Sequence, residues 1–299
     1  MIPGSLLLSA LLVGPQAAAS QPPQASATSP PITARQIIER IQDHTGGRDG
    51  EAWHGATVDT VKAGDLDTPV TGIATTFSAT MDVLQRAVAR GANLIVAHEP
   101  TFYDHLDETA WMGSDPVLEA KLDYIRKHKL VVWRFHDHWH HAPGQPDGVL
   151  KGMVAGLGWE EFQSATTPYF FTIPEIRLDD LARQVKRRLG IRTLRVVGDR
   201  GLKVRRVGFA PGAAGRDRQV QALASDDVQV LLVGESREWE TVLYVVDAVG
   251  QGRPRGLILL GHDVSEELGM KECATWLRAF VPEVPIEYIP AGEPFWAPE

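Results

Sequence analysis

Short apolar runs and amphipathic stretches alternate along most of this chain. Thr33 to Thr45 sets Ile37, Ile38 and Ile41 on one face ahead of Gly46-Gly47, the pattern of an amphipathic helix. Val70 to Thr76 is strand-like. Ser78 is the expected cap of a helix over Met81 to Ala89, and Gly91 stops it. Asn93 to Ala97 is the next strand, Val117 to His128 a helix, and Leu130 to Phe135 another strand. A turn at Ala142 to Gly148 precedes a helix over Val149 to Leu157. The second half repeats the alternation. Helices are expected at Leu178 to Leu189, Trp239 to Gly250 and Ser265 to Phe280. Strands are expected at Thr193 to Val197, Val204 to Phe209, Val228 to Val233, Gly256 to Leu260 and Ile286 to Ile289. Strands and helices in this order imply an α/β fold with mainly parallel sheets flanked by helices.

The first thirty residues differ in kind. Leu6 to Val13 is apolar and is followed by small residues ending Ala17-Ala-Ala19, the form of a secretory signal peptide cleaved after Ala19 or Ala27. The Gln/Pro/Ser/Thr stretch to Pro31 completes a disordered leader over residues 1–31. Export to the periplasm or medium is therefore expected, with no later segment apolar enough to span a membrane. A net charge of −8 argues against a nucleic-acid partner, and Lys186-Arg-Arg188 and Lys203-Val-Arg-Arg206 read as solvated faces. The single cysteine, Cys273, falls inside the last helix, which excludes an intrachain disulfide.

Candidate chemistry gathers where three apolar runs end. Six of the ten histidines lie there, in Asn93 to Pro100 (His98, Glu99), Val131 to His141 (His136, His138, His140, His141) and Gly256 to Glu266 (His262, Glu266). Strand ends are where α/β folds place their chemistry. His262 and Glu266, four apart at a helix entry, share one face as two ligands of one ion would. Pro100 stops the strand before it, so His98 and Glu99 can turn to one side. Four histidines within Phe135 to Ala142 exceed what packing explains, since a buried imidazole needs a polar partner. If the strand continues, His136, His138 and His140 share a face; if it turns, His140 swings over the sheet edge. Imidazole and carboxylate without thiolate suit zinc, manganese, iron or cobalt.

Ala92-Asn-Leu-Ile-Val-Ala-His-Glu-Pro100 resembles the Ala-Asp-Leu-Ile-Val-x-His-His-Pro signature of the Nif-three-like family, also called GTP cyclohydrolase type 2 homologues or hexameric dinuclear-metal-centre proteins. Phe135 to Gly144, Val204 to Gly215, Val228 to Glu235 and Gly261-His-Asp-Val-Ser-Glu266 resemble that family's further motifs in order, so the likeness runs from Thr33 to Tyr288. It implies a ligand set of His98, Glu99, His140, His262 and Glu266 for one or two divalent ions. Glu99 replaces the family's second histidine in this set, and His140 replaces its aspartate. It also implies two related α/β lobes (32–150 and 151–299) with the metal in the cleft between them, and a homo-oligomer, a hexamer.

The function implied is a metal-dependent hydrolase acting on an unknown small molecule. Asp137, His138 or His136 would move protons, and His136 and His138 would support the ligands. There is no glycine-rich phosphate loop, and an exported protein seldom meets GTP, so the cyclohydrolase label weighs less than the metal site. Two alternatives stand beside it. One is a metallo-β-lactamase-like hydrolase, since His136-x-His138-x-His140-His141 is one residue from that family's His-x-His-x-Asp-His. The other is a non-catalytic metal-binding or scaffold protein.

Overall fold

The computed structural model describes residues 1, 31–47, 53 and 55–298. The expected leader over 1–31 lies outside the described residues, apart from its two ends. Residues 31–299 cluster into one unit. It is built on two five-stranded sheets.

The first sheet contains β1 (Val61–Ala63), β2 (Ile73–Thr76), β3 (Leu94–Ala97), β4 (Val131–Arg134) and β10 (Ile286–Tyr288), in the order β1-β4-β3-β2-β10. β4, β3, β2 and β10 run parallel, and β1 closes the edge antiparallel. The second holds β5 (Phe170–Arg177), β6 (Arg195–Gly198), β7 (Lys203–Ala210), β8 (Val230–Val233) and β9 (Gly256–Leu259), in the order β5-β7-β8-β9-β6. Its three central strands are parallel, and both edge strands are antiparallel. The mixed α/β class expected from the alternation is what the chain forms. The boundary expected at residue 150 is crossed by the chain's own end, because β10 returns to the first sheet beside β2.

Every residue of β2, β3, β4, β8 and β9 is buried, which is why these segments read as continuous apolar runs. Alternate residues serve opposite layers. Leu94 and Val96 of β3 join a central core with Ile258 of β9 and Val230 of β8, while Ile95 and Ala97 face an outer cluster. Helices α1 (Ala34–His44), α5 (Gly148–Leu157), α6 (Leu178–Leu189) and α9 (His262–Arg278) fill that central layer. Helices α2 (Met81–Ala89) and α3 (Pro116–Lys127) cover the outer face of the first sheet. Helices α7 (Arg216–Ala224) and α8 (Leu243–Gly250) cover that of the second. A single-turn helix, α4 (Asp137–His141), follows β4. No described helix is long and apolar enough to cross a membrane.

Some boundaries differ from expectation. Thr80, not Ser78, caps α2, its hydroxyl accepting from the Val83 amide at 3.2 Å. The last helix starts at His262 rather than Ser265, because Gly261 in the left-handed region (φ 99°) lets the chain turn into a helix at once. Strands β1 and β5 and helix α7 carry no clear period in sequence and were not anticipated. Cys273 is buried in α9 as expected.

Candidate metal centre

The ends of β3, β4 and β9 deliver the three histidine clusters to one place between the sheets. Past β3, the His98 amide donates to the carbonyls of Thr76 and Phe77, and the Glu99 amide to Phe77, so both residues stay pinned to the neighbouring strand's end. The His98 ring is fully buried. Its Nδ1 meets the Phe135 carbonyl at 3.2 Å, which requires the proton on Nδ1 and leaves the Nε2 lone pair bare. That Nε2 has no hydrogen-bond partner, and the nearest carboxylate oxygen, Glu266 Oε2, is 3.4 Å away. A buried, unpartnered imidazole nitrogen facing carboxylates is what a metal ligand looks like without its ion.

After β4 the chain turns into α4. The Asp59 carboxylate accepts from the amides of His136 (2.6 Å), Asp137 (2.9 Å) and His138 (2.9 Å) and so holds the start of this turn. Helical period then decides which histidines meet. His136 and His140, four apart, share a face, with ring centroids 4.9 Å apart, and each lies about 5 Å or less from the His98 ring (4.6 and 5.0 Å). His138 points the other way: its Nδ1 bonds Asp59 at 2.8 Å and its ring stacks on Trp53 at 3.5 Å. The run of alternate histidines therefore does not converge on one point, as the metallo-β-lactamase-like alternative requires.

From the second sheet, α9 contributes His262 and Glu266 one turn apart. His262 Nε2 lies 3.1 Å from Glu266 Oε2 and 3.2 Å from Glu99 Oε1, and Glu99 Oε1 is also 3.6 Å from His136 Nε2. Glu266 Oε1 is 3.9 Å from His140 Nε2. Gly212, in the turn after β7, makes room for that carboxylate. A Cβ there would lie 2.2 Å from Glu266 Oε1, and its φ of +56° strains any larger residue. Two overlapping groups of possible ligand atoms result, His98–His136–His140 and His98–Glu99–Glu266, each within 4.8 Å.

Behind these side chains stands a ring of carboxylates. Asp137 holds His136 Nδ1 at 2.9 Å, Asp147 holds His140 Nδ1 at 2.9 Å, and Glu235 holds His262 Nδ1 at 2.7 Å. Each pairing sets the tautomer that turns Nε2 toward the centre. Asp147 also caps α5 through the Leu150 amide and accepts from the Tyr169 hydroxyl. Arg134, buried at the end of β4, bonds Glu99 Oε2 at 3.1 Å and the carbonyls of His98 and His105.

Proton affinities follow from this packing. Burial opposes the charge of Glu266, but the His262 bond and the nearby His98 and His262 rings outweigh it and hold the carboxyl far below its ordinary range. Glu99 is lowered in the same way, chiefly through His262 against its burial. Burial likewise works against the His262 cation, yet Glu266 and Glu99 push it up to about 11. His140 is raised because Asp147 outweighs burial, and His136 is lowered because burial wins. Asp137 lies below its ordinary value through its bond to His136.

All five residues of the implied ligand set are thus brought together, Glu99 and His140 included. Of the three expected to move protons, His136 faces the cluster, Asp137 stands behind it, and His138 lies outside. Sequence reasoning missed Arg134, Asp147, Glu235, Asp59 and Tyr169. A charge inside the apolar run of β4 was a usable signal for Arg134, since a buried cation needs partners. Asp147, in Pro146-Asp-Gly148 before a helix, was readable as a cap but not as a partner of His140. Asp59 and Tyr169 carry no local signal.

A family model for Duf34/NIF3 (NGG1p interacting factor 3) matches residues 33–293. This chain belongs to the Duf34/NIF3 family. A Clostridium perfringens protein named GTP cyclohydrolase 1 type 2 homolog is 21% identical over 157 residues, which are 50% of this chain and 59% of that protein. The match thus spans less than two thirds of that relative. Among solved structures, a Staphylococcus aureus hypothetical protein superposes with a TM-score of 0.69 at 17% identity, covering 90% of this chain and 100% of its own. A Bacillus cereus protein related to NIF3 gives a TM-score of 0.68 at 16% identity, covering 89% and 99%. These likenesses establish the Duf34/NIF3 fold. The cluster stands in this Duf34/NIF3 chain as a candidate metal site.

Proposed function

We propose that this protein holds one or two divalent cations and hydrolyses a small molecule beside them. The ligands are His98, Glu99, His140, His262 and Glu266. The observation that carries the reading is the convergence of imidazole Nε2 atoms on two carboxylates, three of them aimed by a carboxylate at Nδ1, around the unpartnered Nε2 of His98. Three imidazoles and two carboxylates suit zinc, manganese, iron or cobalt.

When bound, a divalent ion supplies Lewis acidity and a water of lowered pKa. The chain's own groups do the rest. His98 Nδ1 is committed to the Phe135 carbonyl, so its Nε2 is the atom it would offer to a metal; the carboxylates span the cluster, Glu266 from His262 to His140 and Glu99 from His262 to His136. His136, kept neutral by burial and oriented by Asp137, is the group placed to take a proton at the cavity wall. The relative's cyclohydrolase name is consistent with water-activating chemistry; the substrate is a separate question.

Elemental analysis of protein purified without chelators tests the site. Wild type is expected to carry stoichiometric metal and His140→Ala and Glu266→Ala to lose most of it. Metal-free wild type, or full metal in both variants, refutes the assignment. Turnover on a panel of esters, phosphates, amides and nucleotides separates the hydrolase from a non-catalytic metal-binding protein. We extend the proposal to export and to a hexamer, checked by the mass of the mature N-terminus and by light scattering.

A further inference from the structure

A cavity of about 750 Å³ opens over the cluster, with Glu99, His136, His140 and His262 in one wall. Away from the imidazoles its lining changes character. Phe170 begins β5, Phe209 ends β7 with Ala210, and Leu231 lies in β8, which together make an apolar floor. The rim is formed by Arg218 and Gln221, three apart on one face of α7. The other charged groups of the lining are committed: Glu99 to Arg134, and Asp147 to His140 and Tyr169. Arg218 makes no ion pair or side-chain hydrogen bond among the described residues, although it lies within electrostatic reach of Tyr169.

Such a volume suits a small ligand buried over most of its surface. One uncommitted cation matches one negative charge. Without metal, a triphosphate would set several charges against a single guanidinium in a wall that already carries two carboxylates. We propose that the cavity takes a substrate with one anionic group, held by Arg218 and Gln221, and an aromatic or branched apolar body lying on Phe170, Phe209 and Leu231. That orientation brings the substrate's other end to the imidazole wall. The identity of the reacting end rests on the hydrolase reading; the binding does not.

Titration calorimetry with naphthalene-2-carboxylate, its uncharged carboxamide and GTP tests this on metal-loaded wild type, on Arg218→Gln, and on chelator-treated samples of both. A charge-assisted contact of this kind corresponds to about tenfold or more in affinity. The carboxylate is expected to bind wild type about tenfold tighter than the carboxamide, with GTP weaker than either in the chelator-treated protein. Arg218→Gln, an exposed position, should abolish the preference by lowering carboxylate affinity to about that of the carboxamide, with and without metal. Equal binding of acid and amide, a preference that survives in Arg218→Gln, or tighter binding of GTP to the chelator-treated protein would overturn the proposal. A preference lost on chelation but kept in Arg218→Gln would mean that the metal reads the anion, and refutes it too. Failure of the metal assignment alone would appear in elemental analysis and leave these affinities untouched.

Discussion

At the residue scale, the behaviour of His140 depends on a neighbour seven positions away. Asp147 accepts from Nδ1 and so leaves Nε2 as the atom free to coordinate a metal. The same carboxylate caps α5, which an asparagine can also do. Asp147→Asn is therefore expected to keep the fold, with an unchanged far-UV spectrum, while metal affinity falls about 10–100-fold. A competition titration against a chromophoric chelator measures it; unchanged affinity would show that the Asp147 charge does not tune His140. Local sequence reveals half of this arrangement. The histidines are conspicuous in Phe135 to Ala142, but which of them faces inward depends on α4 being a helical turn, and that turn is held by Asp59 from nearly eighty positions upstream.

At the element scale, α9 carries two of the proposed ligands and must cross α5 closely. Gly152 and Gly269 make that approach possible: a Cβ on Gly269 would fall 2.6 Å from Val149 Cα, and one on Gly152 2.3 Å from the Leu268 carbonyl oxygen. Trp139 donates to the Gly269 carbonyl at 3.2 Å, and Thr75 of β2 to that of Met270 at 2.7 Å, so the crossing is also tied to the first sheet. Gly269→Ala overfills this contact and should cost about 1–3 kcal/mol, read as a lowered Tm. Because α9 shifts with it, metal content should fall as well. A variant with wild-type Tm would show that the helices separate freely. The strands were legible because burial on both faces makes them continuously apolar. Strands β1 and β5, edge strands that are only partly buried, lack that signature, although the edge strands β6 and β10 were legible.

At the scale of the whole molecule, the cluster couples stability to pH in two opposite senses. The carboxyls of Glu266, Glu99 and Asp147 titrate below their ordinary values in the folded chain. Their contribution is present above the ordinary carboxylate range and is lost as pH falls through the folded values. His262, raised to about 11, and His140, also raised, contribute stability that is complete below the ordinary 6.5 and is lost as pH rises through the folded values. Chelator-treated protein should therefore lose Tm on going from pH 6.5 to 9. The gain in Tm on adding metal should grow over the same interval, since a metal competes with protons for the imidazoles. Scanning fluorimetry with and without metal reads both, and a gain equal at pH 6 and pH 9 would remove the imidazoles from the ligand set.

What the sequence determined by itself was the class of fold and the residue types of the site. Period and burial are local properties of a strand or helix, and a histidine at the end of an apolar run is visible without its partners. Only the tertiary structure decided the rest. It brought Asp59 against His138 and Glu235 against His262 from far away in the chain, and Tyr169 against the Asp147 that holds His140. It turned His138 outward and His136 inward, and it returned the last strand to the first sheet. Those outcomes depend on contacts between segments whose own patterns are indifferent to one another, and such contacts exist only once both sheets have closed around α5 and α9.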